Sequence, residues 1–218
     1  PRAGRLADAF YCIGEILYRL TRETSALHVA DGGDAWLYAG LVDAWLTGDR
    51  RPVERLFPVM THRLRALSAF IGAGTPPPER LDDAEADRLI LDQLAAGAAG
   101  RILRHPERFD LTLRSIFLPA AVQEQMAGRQ PDQMAWYADD APLDASAILR
   151  RPPDDARRLY MRYPGPFEIW LNGSESDWEH LNVDEESWTL PPSGWVAVWP
   201  GGLAATVRAG RSTVSLAE

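Results

Sequence analysis

Residues 195–199 read Trp195-Val196-Ala197-Val198-Trp199, five apolar side chains with no charge among them. Alternation along a strand puts Trp195, Ala197 and Trp199 on one face and Val196 and Val198 on the other. A strand apolar on both faces is normally buried on both, so this segment is predicted to lie inside a sheet covered on its two sides. Working outward, short runs rich in aromatic and β-branched residues recur at 134–137, 158–163, 167–171, 187–190, 204–207 and 213–216. Pro-Gly and Asn-Gly turn signals separate them. This spacing predicts an antiparallel sandwich or barrel over the last third of the chain. Five of the eight tryptophans fall between 170 and 199. Trp170, Trp178, Trp188, Trp195 and Trp199 are expected to pack inward rather than form an exposed sugar platform.

The first two thirds reads differently. Leu6, Phe10, Ile13, Leu17 and Leu20 recur at three- and four-residue steps and predict an amphipathic helix over 5–21. Residues 25–30 form a short apolar stretch closed by Asp31-Gly32-Gly33, which reads as a buried strand ending in a turn. Asp34 stands where an N-cap belongs, ahead of a helical pattern through Trp36, Leu37, Leu41, Val42 and Leu46. A further helix or broken turn is expected over 52–70. Helical patterns resume from Asp83 through Leu89, Ile90 and Leu94, and again from Pro106 through Leu113, Ile116, Phe117 and Val122. A boundary is expected in Leu149-Arg-Arg-Pro-Pro-Asp-Asp155, dividing the chain into 1–148 and 149–218.

Composition narrows the function. The 218 residues are 46% apolar and 25% charged, ordinary for a globular protein. Net charge is −8, from 31 acids against 23 bases, and every base is arginine. An acidic chain with no basic block argues against a nucleic-acid groove. One cysteine, Cys12, excludes an internal disulfide framework and a cysteine-rich zinc site, and its helical context predicts a packed thiol. No apolar run reaches the length of a membrane span, and no signal sequence opens the chain. Because the chain starts at Pro1 without methionine, it reads as processed or as part of something longer. His28, His62, His105 and His180 are too far apart in sequence for a helical metal pair, so no metal is expected. Asn172-Gly-Ser174 matches a glycosylation acceptor, but a turn reading is preferred. No Walker loop, dinucleotide fingerprint or nucleophile elbow appears, so no cofactor is expected.

The stretch from His28 to Asp43 carries the candidate chemistry. A strand ending in a carboxylate and two glycines is how parallel α/β folds present a side chain, which makes Asp31 the candidate catalytic carboxylate. Trp36 and Tyr38 beside Asp34 and Asp43 suit a sugar site, where rings stack on the apolar faces of a pyranose. His28 would line the same site as a hydrogen-bond donor. The same residues also fit a turn at Asp31, a cap at Asp34, and core positions for His28, Trp36, Tyr38 and Trp45.

Asp31-Gly-Gly-Asp-Ala-Trp36-Leu-Tyr38-Ala-Gly40-Leu-Val-Asp43 resembles a segment of large bacterial (β/α)8-barrel proteins of the glycoside-hydrolase type. Residues 89–97, 115–126 and 144–148 resemble later elements of that family in the same order. Arg162-Tyr163, Ile169-Trp-Leu-Asn172-Gly, and Leu190-Pro-Pro-Ser-Gly194-Trp195-Val-Ala197 resemble its C-terminal sandwich. The resemblance implies an α/β plus all-β chain: the closing part of a TIM-type (β/α)8 barrel over 1–148, then an antiparallel β-sandwich over 149–218. It implies glycoside hydrolysis with Asp31 as catalytic residue and His28, Asp34, Trp36, Tyr38 and Asp43 as substrate contacts. The alternative is a non-catalytic carbohydrate-binding or scaffold module. The family normally has glutamate where this chain has Asp31, and a full barrel needs more residues than precede the sandwich. Further polypeptide or a second copy is therefore expected to cover the half-barrel edges, with helices 5–21 and 83–100 in the contact.

Overall fold

A computed structural model describes residues 2–24, 29–31, 41, 44–46, 62, 69–71, 81–97, 107–138, 141–148, 150, 157–183 and 185–217. Among these, α1 spans Arg2–Glu23, and three short strands follow: β1 (Val29–Asp31), β2 (Ala44–Leu46) and β3 (Ala69–Ile71). Then come α2 (Asp83–Ala96), α3 (Phe109–Met126), β4 (Gln133–Ala138), β5 (Ala141–Leu143) and the short α4 (Ala145–Ile148). The remainder is strand: β6 (Arg158–Tyr163), β7 (Phe167–Asn172), β8 (Trp178–Val183), β9 (Glu186–Leu190), β10 (Trp195–Trp199), β11 (Gly202–Ala209) and β12 (Ser212–Ala217).

The barrel expectation is overturned. Nine of the twelve described strands pair antiparallel, in a seven-stranded sheet ordered β12-β11-β10-β7-β6-β4-β5 and a two-stranded sheet β8-β9. A closing barrel segment requires parallel strands alternating with helices. Parallel pairing is confined to β1, β2 and β3, three residues each, and only four helices are described. The seven-stranded sheet also takes β4 and β5 from before residue 149, so it draws strands from both sides of the expected boundary.

The sheet is covered on both faces. On one, Ile90, Leu91 and Leu94 of α2 and Leu118, Val122 and Met126 of α3 pack on Trp136, Leu159, Met161, Phe167, Ile169 and Trp195. On the other, Trp178, Leu181, Val183 and Leu190 of the β8-β9 hairpin pack on Trp170, Val196, Val198 and Ala205. Strand β10 therefore sends Trp195 and Ala197 to the helical core and Val196 and Val198 to the hairpin core, as its alternation predicts. Trp170, Trp178 and Trp195 are buried and Trp188 and Trp199 half-buried, which bears out the packing expectation for these five rings.

Helix α2 starts because the Asp82 side chain accepts the Glu85 N–H at 2.8 Å, with Asp83 and Glu85 favouring the positive helix end. It stops at Gly97, whose left-handed backbone (φ 62°) returns its N–H to Gln93 and Leu94. In α3 the buried positions Leu111, Ser115, Leu118, Val122 and Met126 follow a helical repeat, while Phe109 and Phe117 face out.

Other local expectations change. The helical pattern through Leu46 ends instead in strand β2, paired in parallel with β1 and β3. Residues 69–71, at the end of the stretch 52–70 expected to be a helix or broken turn, form β3. Cys12, expected to be packed, is exposed, on a stretch of α1 where Tyr11, Ile13, Ile16 and Tyr18 are exposed too, so no apolar layer covers the thiol there. No described helix is long and apolar enough to cross a membrane.

Candidate functional site

A cleft of about 460 Å³ opens beside the β8-β9 hairpin, lined by Gln133, Tyr137, Tyr160, Trp170, Trp178 and residues 179–182. Its floor is set by register. Tyr160 of β6 stands opposite Trp170 of β7 and Ala135 of β4, and alternation aims Tyr137, Tyr160 and Trp170 at the hairpin side of the sheet. The rings meet in two tilted pairs, Tyr160–Trp170 and Tyr137–Trp178, each with centroids 5.1 Å apart. The tryptophans form the buried wall, Trp178 at 2% and Trp170 at 7% exposure, and the tyrosines remain half-open to the cleft.

The second wall is β8, and it is irregular for a reason. Trp178 pairs with Leu190 and Leu181 with Trp188, so three steps on β8 match two on β9. The extra residue is a β-bulge, and His180 absorbs it with φ at 56° in the left-handed region. The bulge lets Trp178 and Leu181 both point inward while Glu179, His180 and Asn182 turn out as a polar rim. Strain at a non-glycine residue lining a cleft is a common companion of function.

Two anchors hold this wall. Asn172 at the end of β7 is fully buried, and its Nδ2 donates to Ser176 O, Leu190 O and Pro191 O at 2.9, 2.8 and 3.0 Å. Its Oδ1 accepts from Ser174 N and Oγ at 3.1 and 2.6 Å. The amide thus serves the loop between β7 and β8; these strands lie in different sheets, so Asn172-Gly-Ser174 is not the expected hairpin turn, and its buried amide does not suit the glycan reading either. The second anchor is a two-pronged pair in which Arg208 Nε and Nη2 each reach an Asp177 carboxylate oxygen at 3.1 Å. Arg158 adds a bond to Asp177 O at 3.0 Å, and its guanidinium lies 5.7 Å from the Trp178 ring centroid.

Burial, then the neighbouring Glu168 carboxylate, pushes the Tyr160 phenol up to about 12. Tyr137 is raised by burial and then by Glu168. Both phenols are therefore neutral donors at physiological pH.

Asp31 is the last residue of β1, opposite Leu46 in the parallel register. His28, Asp34, Trp36, Tyr38 and Asp43 lie outside the described residues. None of the cleft residues was singled out from sequence as a ligand contact, although Trp170 and Trp178 were marked as packed rings. Among the described residues, no three His, Cys, Asp or Glu side chains gather to hold a metal. No protein-family model, no curated protein and no solved structure matches the chain.

Proposed function

We propose that the protein binds carbohydrate, non-catalytically, in the cleft between β4, β6 and β8. The observation that carries this reading is the combination of two aromatic ring pairs with a rim of Gln133, Glu179, His180 and Asn182. A pyranose has apolar faces for rings and an equatorial belt of hydroxyls for amide and carboxylate partners. The volume suits a ligand of one or two sugar units, within the usual few hundred cubic ångströms of small-molecule sites. Titration of the full chain with gluco-oligosaccharides, followed by indole fluorescence, tests the reading. Saturable binding is expected, weakened roughly tenfold by Tyr160→Ala through loss of ring contact. Absence of saturation with every oligosaccharide would overturn it.

A second reading, hydrolysis of a glycosidic bond, draws on the resemblance around 31–43 and on Asp31 closing a parallel strand. It predicts turnover of an aryl glycoside that Asp31→Asn abolishes. A chain that turns over no aryl glycoside counts against it.

A further inference from the structure

We propose that the free edge of the seven-stranded sheet, strand β12, pairs antiparallel with β12 of a second copy of this chain. The two edges of the sheet are guarded unequally. At one end β5 is three residues long and carries Pro142, which has no N–H to offer. At the other, β12 runs six residues, Ser-Thr-Val-Ser-Leu-Ala, with no charge, no proline and no bulge. Charge, proline and bulges are the devices that keep an edge from pairing with another chain. No described strand lies outside β12.

Register limits what can pair there. The β11-β12 hairpin turns on two residues, Gly210 and Arg211, with Gly210 at φ 64°. In such a turn the flanking Ala209 and Ser212 bond to each other, so Ser212, Val214 and Leu216 direct their backbone groups to β11. Thr213, Ser215 and Ala217 direct theirs outward. A two-fold axis at Ser215 matches Thr213 with the partner's Ala217, Ser215 with the partner's Ser215, and Ala217 with the partner's Thr213, making about six backbone hydrogen bonds. The same register sets Val214 opposite the partner's Leu216. Leu216 packs on the hairpin-side core, and Val214 stands opposite buried Val207 but is itself exposed. The second copy completes that core. Charge agrees, because Glu218, next in sequence, falls opposite the partner's Ser212 and beside the partner's Arg211. An axis normal to the sheet also keeps the helical faces together. Helix α3 packs on β11 and β12 alike, so at about 4.8 Å per strand its axis lies about 10 Å from its mate. That is near the spacing of packed helices, and α3 leaves Phe109, Leu113 and Phe117 exposed. A foreign strand would satisfy the backbone but not these matched side chains.

Sedimentation velocity on the full chain over a range of concentrations tests the pairing. A monomer–dimer equilibrium is expected, half dimeric at about 10–100 µM, as suits a small interface. Ser215→Pro removes an outward N–H and places a ring on the axis, and Val214→Lys puts a charge into the apolar pair. Each acts twice by symmetry and should weaken the dimer about tenfold or more, with the far-ultraviolet circular dichroism unchanged. Should Ser215→Pro not fold, Val214→Lys and amide hydrogen exchange decide. The amides of Thr213, Ser215 and Ala217 should exchange about tenfold more slowly at dimer concentrations than in dilute solution. A chain that stays monomeric to about 1 mM, or a dimer indifferent to both substitutions, overturns the proposal. Edge amides protected only when an unrelated polypeptide is added would assign the edge to another partner, and overturn it as well.

Discussion

Replacing Asn172 by alanine removes the node that ties β7 to the loop before β8 and to the end of β9. Its two amide hydrogens serve three carbonyls and its oxygen accepts two bonds, all within 3.1 Å. One of the three carbonyl contacts is necessarily shared, so about four bonds are lost. At about 1 kcal/mol net per bond, the direct loss is about 4 kcal/mol. Pro191 O keeps the Gly194 N–H at 2.7 Å and Ser174 Oγ keeps a bond to Ser176 O, both of which subtract from it. A cost of about 4 kcal/mol is about a quarter or more of the stability of an ordinary domain. Urea unfolding followed by tryptophan fluorescence measures it as a fall in midpoint at constant slope. Asn172→Asp keeps shape and acceptor but turns a carboxylate toward three carbonyl oxygens, so its loss should equal or exceed that of alanine at neutral pH. A loss below about 1 kcal/mol for both variants would refute the role assigned to the node.

Burial outweighs the Arg114 charge at Asp87 and lifts its carboxyl from 3.8 to about 6, although Arg114 Nη2 lies 2.8 Å away. The folded chain therefore holds this proton more tightly than the unfolded chain, and the contribution of Asp87 to stability is full below pH 4 and lost as pH rises through 6. Asp87→Asn should flatten that decline, a difference of at most about 2–3 kcal/mol between pH 4 and 7 in paired urea titrations, and parallel pH profiles for the two proteins would contradict the assignment. At Gly194 an added Cβ would sit 2.5 Å from Pro191 Cδ and 2.8 Å from Pro191 N and O. Gly194→Ala must open the turn between β9 and β10 at about 2–3 kcal/mol, visible as a lowered Tm, and an unchanged Tm would show that the turn yields freely.

The strands of the last third were legible because their pattern is local. The predicted run 158–163 coincides with β6, and the two-faced 195–199 run coincides with β10. Strand β8 was missed because its bulge breaks the period of two, spacing the inward Trp178 and Leu181 three apart and leaving polar residues between them. Strand β2 read as the end of a helix because Val42, Trp45 and Leu46 sit at helical steps. Its parallel partners, from 29–31 and 69–71, decide otherwise from far along the chain. The barrel expectation failed for the same reason: a shared order of short motifs carries no information on whether strands pair parallel or antiparallel. The cleft was illegible because Gln133, Tyr160, Trp170 and Asn182 meet only through sheet register and the placing of a hairpin.

Chemical-shift mapping by NMR of the full chain, titrated with an oligosaccharide, tests the cleft most directly. Perturbations should cluster on Gln133, Tyr137, Tyr160 and residues 178–182, with the indole N–H signals of Trp170 and Trp178 moving and that of the core residue Trp195 staying still. Perturbations gathered around Asp31 with a silent β8, or none at saturating sugar, would contradict a carbohydrate site in the cleft.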